Sequence, residues 1–190
     1  MFTHKIIASP VGGLVLVANN GTLAGLYHEF HDPEPSPVIL GSPFGPDPGA
    51  LQTEPGQPDP TGVFTRVESQ LTEYFAGEPV ELEAPEIGVG TLFQRDVWRV
   101  VADIPYGHTR TYKDIAGELG NEAMGRAIGA AIRANPYSIV VPGHRVVSSG
   151  GRITGYSAGV AVKRALLDLE AAVLKASDRR AVRALSGEPV

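Results

Sequence analysis

Arg126 and Arg133 stand seven residues apart, nearly in register on one face of any helix that contains both. Around them Gly125, Ala127, Gly129, Ala130 and Ala131 are all small. A smooth helical flank carrying two guanidinium groups can approach a phosphate backbone closely and neutralise it. The same composition also suits tight helix packing with solvated arginines, and Ile128 and Ile132 face the core under either reading. The chemistry that is excluded matters as much. The chain contains no cysteine, so it has no disulfide framework, no thiolate metal site and no thiol nucleophile. His4, His28, His31 and His108 show no metal-ligand spacing such as His-x-x-x-His, and neither a metal nor another cofactor is expected.

The elements that must carry these arginines are legible from periodicity and punctuation. Thr91 opens a helix with capping-box spacing, Thr91-x-x-Gln94, and Phe93, Val97, Val100, Val101 and Ile104 recur at helical intervals until Pro105-Tyr106-Gly107. A second helix should start at Thr111, with Asp114 three residues on, and stop at Gly120; a third should run from about Glu122 to Ala134, ended by Asn135-Pro136. Two short helices joined by a tight turn have helix-turn-helix spacing, although ordinary helical hairpins look alike. Ser138-Ile139-Val140-Val141 reads as a short buried strand, and a last helix should run from about Val160 to Lys175. Trp98 and Phe93 are expected to be packing residues.

Upstream, Lys5–Ala8, Leu14–Val17 and Leu23–Tyr27 read as strands, with Asn20-Gly21 as a hairpin turn because both residues tolerate positive φ. Residues 31–60 hold nine prolines and four glycines without apolar periodicity, which predicts an exposed, poorly ordered loop. From Val63 to Phe75, residues Phe64, Val67, Leu71, Tyr74 and Phe75 share a helical face, and an acidic stretch from Glu78 to Glu86 follows. The expected class is α+β. Residues 1–88 would form a small sheet domain with a helix and a proline-rich loop over 31–61, residues 89–175 a helix-turn-helix domain, and residues 176–190 a tail.

The 190 residues are 43% hydrophobic, enough to bury a real core, and no run approaches the length needed to span a bilayer. The N-terminus carries no long apolar stretch, so a cytoplasmic, nucleoid-associated monomer is expected, with no membrane partner. The net charge of −5 argues superficially against nucleic acid, but it is unevenly spread. Residues 1–90 hold 2 basic and 12 acidic side chains, whereas residues 91–175 hold 11 and 7. A basic nucleic-acid-binding half joined to an acidic half fits this asymmetry, as does an ordinary solvated surface.

The run Pro142-Gly143-His144-Arg145-Val146-Val147, preceded by Arg126-Ala127-Ile128-Gly129 and Asn135-Pro136, resembles the O6-alkylguanine-DNA alkyltransferase family, whose signature at that place is Pro-Cys-His-Arg. Phe93 to Trp98, Ile104-Pro105-Tyr106-Gly107, Thr111-Tyr112, and Tyr156-Ser157 with Lys163 and Glu170 also stand in the family's order and spacing. The resemblance is dense over 91–172 and loose before it. It implies a C-terminal, winged-helix-like helix-turn-helix domain that binds the minor groove of double-stranded DNA containing O6-alkylguanine. Arg126 matches the arginine that fills the space of a flipped-out base, and Tyr112 the tyrosine that helps rotate the target nucleotide. A planar cation in that space recovers part of the stacking lost on flipping. Ala127, Gly129 and Arg133 complete the implied DNA-binding helix, and Val146, Tyr156, Ser157 and Ala158 the implied base pocket.

The resemblance further implies that Glu170 orients His144, which through a water deprotonates the acceptor cysteine, with Asn135 bracing the turn. Here the acceptor's place is Gly143. Glycine cannot take an alkyl group, and no cysteine elsewhere can substitute. The family includes alkyltransferase-like proteins with tryptophan or alanine at this position, which resemble flags for nucleotide-excision repair proteins. Three readings follow. The chain is a lesion sensor without alkyl transfer; or His144 and Glu170 activate a water that fills the vacancy, making a hydrolase or dealkylase; or Gly143 replaced cysteine by mutation in an ordinary suicide methyltransferase.

Overall fold

The computed structural model describes residues 1–44, 62–78, 82 and 88–186, with side chains to Arg179. The chain opens with strands β1 (Phe2–Ile7), β2 (Leu14–Asn19) and β3 (Thr22–His28), followed by the short helix α1 (Pro37–Leu40) and the two-residue strand β4 (Ser42–Pro43). Sheet order is β3-β2-β1-β4, antiparallel except for the parallel β1–β4 pair. Asn20 and Gly21 both take positive φ in the β2–β3 turn, as the Asn-Gly signal requires. Leu14, Leu16 and Ala18 alternate onto the face covered by helix α2 (Val63–Ala76), where Phe64, Val67, Leu71 and Tyr74 are buried.

The proline-rich segment is not wholly loop. Residues 37–43 form α1, capped by the Ser36 side chain, and the edge strand β4. Proline suits both places, at the first turn of a helix and on a sheet edge where no N–H is needed. The rest of that segment, residues 45–61, and most of the acidic stretch lie outside the described residues.

Helix α3 (Leu92–Ala102) carries the expected capping box between Thr91 and Gln94. Strand β5 (Arg110–Thr111) leads into α4 (Tyr112–Glu118), where Thr111 and Asp114 form a second capping box. A single 3₁₀ turn, Glu122–Met124, then joins α4 to α5 (Gly125–Arg133), completing the helix-turn-helix. A further 3₁₀ turn over Gly143–Arg145, strand β6 (Val146–Val147) and helix α6 (Val160–Ser186) finish the fold. Trp98 anchors this half: it is 2% exposed and its indole N–H donates to the Ala131 carbonyl at 2.7 Å.

Two expectations are corrected. Helix α6 continues past Lys175 to Ser186, so most of the stretch read as a tail extends the helix; residues 187–190 lie outside the described residues. Residues 138–141 form a turn rather than a strand. Asn135 donates to the Val141 and Tyr137 carbonyls and accepts from the Tyr137 N–H, while the N–H groups of Val140 and Val141 bond to Ser138 and Tyr137 within the turn. Those backbone groups are therefore not free for a strand partner. Only Tyr137 makes a bridge, parallel to Leu26 of β3. The turn holds Ile139 at φ 71°, an unfavourable conformation for a β-branched residue, and buries its side chain in the core beneath α2.

Candidate functional site

Three elements converge on Glu170 of helix α6. The Gly143–Arg145 turn supplies His144 and Arg145, the bend after α3 supplies Gly107, and α2 supplies Tyr74. Glu170 is fully buried and accepts hydrogen bonds from His144 Nε2 at 2.8 Å, the Tyr74 hydroxyl at 2.7 Å, the Gly107 N–H at 2.9 Å, and Arg145 Nε and Nη2 at 2.9–3.2 Å. Arg145 also donates from Nη1 to the Ile104 carbonyl at 2.6 Å. Burial alone would raise the Glu170 pKa, but the hydrogen bond from His144 and the hydrogen bonds and charge of Arg145 outweigh it and hold the carboxyl at about 2.

An ionised Glu170 fixes the state of His144. The carboxylate can only accept, so Nε2 carries the proton. Burial holds the imidazole pKa below its usual value, leaving the ring neutral near pH 7. Nδ1 is then an unprotonated base, buried and without a partner among the described residues. This is an imidazole oriented for proton abstraction.

The neighbouring residue offers nothing to deprotonate. Gly143 is buried, and its φ lies outside the left-handed region, so the backbone there does not require glycine. A Cβ at this position would lie 2.9 Å from Cγ2 of Ile132 and 3.9 Å from Cε2 of Tyr156. The space is thus not a clean cysteine-sized void, because the Ile132 methyl leans into it. A larger residue forces Ile132 to give way, and because Cγ2 sits directly on its branched Cβ this means turning a stiff χ1 or shifting the backbone.

Next to it is a cavity of about 210 Å³ lined by Tyr112, Gly129, Ile132, Arg133, Gly155, Tyr156 and Ser157. Tyr112 begins α4, and Gly129 lies on α5 facing the Tyr112 ring. Lys163, fully buried on α6, places its ammonium 5.9 Å from the Tyr112 ring centroid and donates to the Val146 carbonyl; burial lowers its pKa to about 8. Of the four expected pocket residues, Tyr156 and Ser157 line the cavity. Val146 does not, because its side chain is fully buried in the α3–α5 core. Ala158 is half-buried and also off the cavity wall. Ile132, expected to face the core, and Gly155 also line the cavity.

The two arginines have different environments. Arg126, at the start of α5 beside the exposed Ala127, is exposed and makes no hydrogen bond or ion pair among the described residues. Arg133 reaches back to the first half of the chain, pairing with the Asp32 carboxylate and donating from Nε to the Asp32 carbonyl at 3.3 Å. It is therefore not the free cation that its spacing from Arg126 suggested. Asp32 lies 101 residues away in sequence, and no local pattern announces such a contact. Among the described residues no cluster of histidine and carboxylate groups could hold a metal ion.

The profile of the family described as "6-O-methylguanine DNA methyltransferase, DNA binding domain" matches residues 92–172. The methylated-DNA–protein-cysteine methyltransferase of Mycobacterium tuberculosis is 39% identical over 170 residues, covering 90% of this chain and 93% of that protein. This chain belongs to the methylated-DNA–protein-cysteine methyltransferase family. The protein of the same name from Methanosarcina acetivorans is 45% identical over 107 residues, 56% of this chain and 69% of its own length. Among solved structures, the M. tuberculosis O6-methylguanine methyltransferase superposes with a TM-score of 0.73 at 38% identity, covering 90% of this chain and 94% of that one. The same M. tuberculosis protein in complex with DNA gives 0.76 at 37% identity, with 90% and 94% covered. The fold and the DNA-binding domain are those of the family, and the family's acceptor cysteine is absent.

Proposed function

We propose that this protein binds double-stranded DNA at O6-alkylated guanine, takes the base into the cavity beside Gly143, and leaves the lesion chemically intact. The observation that carries the reading is the combination of a preserved alkyltransferase site with glycine at the acceptor position, in a chain without cysteine. Arg126 fills the space of the extruded base, Tyr112 assists rotation of the nucleotide, and the small residues Ala127 and Gly129 let α5 lie close to the backbone. Tyr156 and Ser157 form the pocket wall. Asn135 holds the turn that places His144 and Gly143. A monomer on one lesion suffices, and an unreacted complex is the form in which damage can be passed to nucleotide-excision repair proteins.

The test is equilibrium binding, at fixed salt, to a duplex with one O6-methylguanine and to the same duplex with guanine. The native protein should favour the lesion. Arg126→Ala should lose most of that preference, by about tenfold or more given the few kcal/mol that flipping costs, while unfolding with a midpoint unchanged within about 0.5 kcal/mol because the side chain is exposed and unpartnered. Equal binding to both duplexes by the native protein overturns the reading.

One observation favours a second reading, in which the protein is a hydrolase: the unpartnered, unprotonated Nδ1 of His144. A water there would form a bond to the alkyl carbon as the bond to guanine O6 breaks, its proton passing through His144 to the base and releasing the alcohol. Loss of alkyl groups from many equivalents of lesion duplex per protein would establish it.

A further inference from the structure

The sheet half of the molecule reaches the base pocket through the end of β3. The bridge from Leu26 to Tyr137 fixes β3 against the turn after α5, with Leu26 N–H donating to Pro136 at 2.8 Å and Ser138 N–H to Leu26 at 2.8 Å. Two residues on, His28 is 3% exposed and hydrogen-bonded through Nε2 to the Tyr156 hydroxyl at 3.1 Å, their rings edge to face at 5.5 Å. Beyond it, the Asp32 N–H donates to the Ser157 carbonyl at 2.8 Å. The cavity wall formed by Tyr156 and Ser157 is thus held from outside the helix-turn-helix half.

Tyr156 stands where this matters. Its ring lines the cavity, lies 6.4 Å from the His144 ring, and brings Cε2 to 3.9 Å from the position a Gly143 Cβ would occupy. Movement of this ring changes the room beside Gly143, where an O6 substituent would lie. Packing alone does not account for the imidazole of His28. Its Nδ1 is buried without a partner among the described residues, a penalty that an aliphatic side chain of similar size would avoid. What histidine supplies there, and an aliphatic residue cannot, is the bond to the tyrosine hydroxyl.

We propose that His28 is a specificity-determining positioning residue: by tethering Tyr156 it fixes the depth of the base pocket and so limits the size of the O6-alkyl group accepted. This rests on the lesion-binding reading. With the His28 bond gone the Tyr156 hydroxyl keeps only its bond to Ser138, so the ring is held less firmly, the pocket can deepen, and larger substituents gain relative to small ones.

The experiment measures Kd for three duplexes, containing guanine, O6-methylguanine or O6-benzylguanine, with the native protein, Tyr156→Phe, His28→Ala, His28→Gln and the double variant Tyr156→Phe/His28→Ala. Tyr156→Phe removes only the hydroxyl and keeps the ring's packing. Both it and His28→Ala should shift the benzyl-to-methyl affinity ratio toward benzyl by about fivefold, the worth of one buried hydrogen bond. Adding His28→Ala to Tyr156→Phe should change the ratio no further, because without the hydroxyl the imidazole has nothing to hold, whereas Tyr156→Phe also removes the hydroxyl's bond to Ser138. His28→Gln, whose amide reaches the place of Nε2, should restore the native ratio. An unaltered ratio in Tyr156→Phe, or additive effects in the double variant, overturns the proposal while leaving lesion binding in place. A native protein that does not distinguish O6-methylguanine from guanine overturns both.

Discussion

Glu170 and Gly143 belong to one site and have opposite characters. Around Glu170 the carboxylate is saturated by donors from α2, from the bend after α3 and from the His144–Arg145 turn. At Gly143 there is only backbone, and an isoleucine methyl intrudes on the space. The Glu170 hydrogen bonds are complete without any nucleophile beside them. They tie both halves of the chain to α6, so the network is retained whether or not chemistry occurs beside it. A preserved His–Glu pair does not by itself carry a reading of catalysis, and the proposed function turns on the residue with no side chain.

If the network is structural, its removal should be the most damaging change. Glu170→Ala strands the Arg145 guanidinium and the Tyr74 hydroxyl in the interior, and should cost about 3–5 kcal/mol in urea unfolding, the penalty of a broken buried ion pair. A loss below about 1 kcal/mol would mean that the carboxylate matters little to the fold and that its retention needs a chemical reason.

Acid should act on the same region with somewhat smaller effect. The Glu170 pKa is depressed from 4.5 to about 2, so its contribution is complete above about pH 5 and is lost as pH falls toward 2. His28, whose pKa is lowered from 6.5 to about 4 chiefly by burial, and then by His31 and His144, favours the neutral ring in the folded state. The unfolded chain therefore binds the proton first, and stability falls as pH drops from 6.5 to 4, by about 3 kcal/mol for this residue. Unfolding midpoints measured between pH 8 and 4 should decline below pH 6.5, and His28→Gln should flatten the upper part of that decline.

The smallest structural change sharpens the comparison most. Gly143→Cys forces Ile132 to give way, because its Cγ2 methyl lies 2.9 Å from the new Cβ and is bonded directly to a stiff, branched Cβ, so the variant should lose about 1–3 kcal/mol of stability. Because His144 Nδ1 is already a free base beside it, the new thiol should accept a methyl group from O6-methylguanine DNA, seen as a stoichiometric increase in protein mass. Failure of a folded Gly143→Cys variant to do so would show that the site has lost more than its nucleophile.

Much of this was written locally in the sequence. Thr91 with Gln94 and Thr111 with Asp114 predict their helix starts because a cap is closed within one turn, and Asn20-Gly21 predicts its hairpin for the same reason. The run Ser138–Val141 reads as a strand because a serine followed by three apolar residues looks alike in a buried strand and in a turn; what decides is the Asn135 side chain, which takes the backbone groups a strand would need. The end of α6 was missed because the helix continues through a polar stretch beyond its apolar face. Least legible were the contacts between halves. Nothing near His28 or Asp32 announces Tyr156 or Arg133, since each pair is joined only when β3 lies against the turn after α5.

The most direct test of the central claim is to isolate the complex of the native protein with duplex bearing one O6-methylguanine and to analyse the bases in the recovered DNA. The account predicts that O6-methylguanine is recovered unchanged from DNA held by the protein. Recovery of guanine in its place would contradict it, and would show that the site beside Gly143 removes the alkyl group without a cysteine.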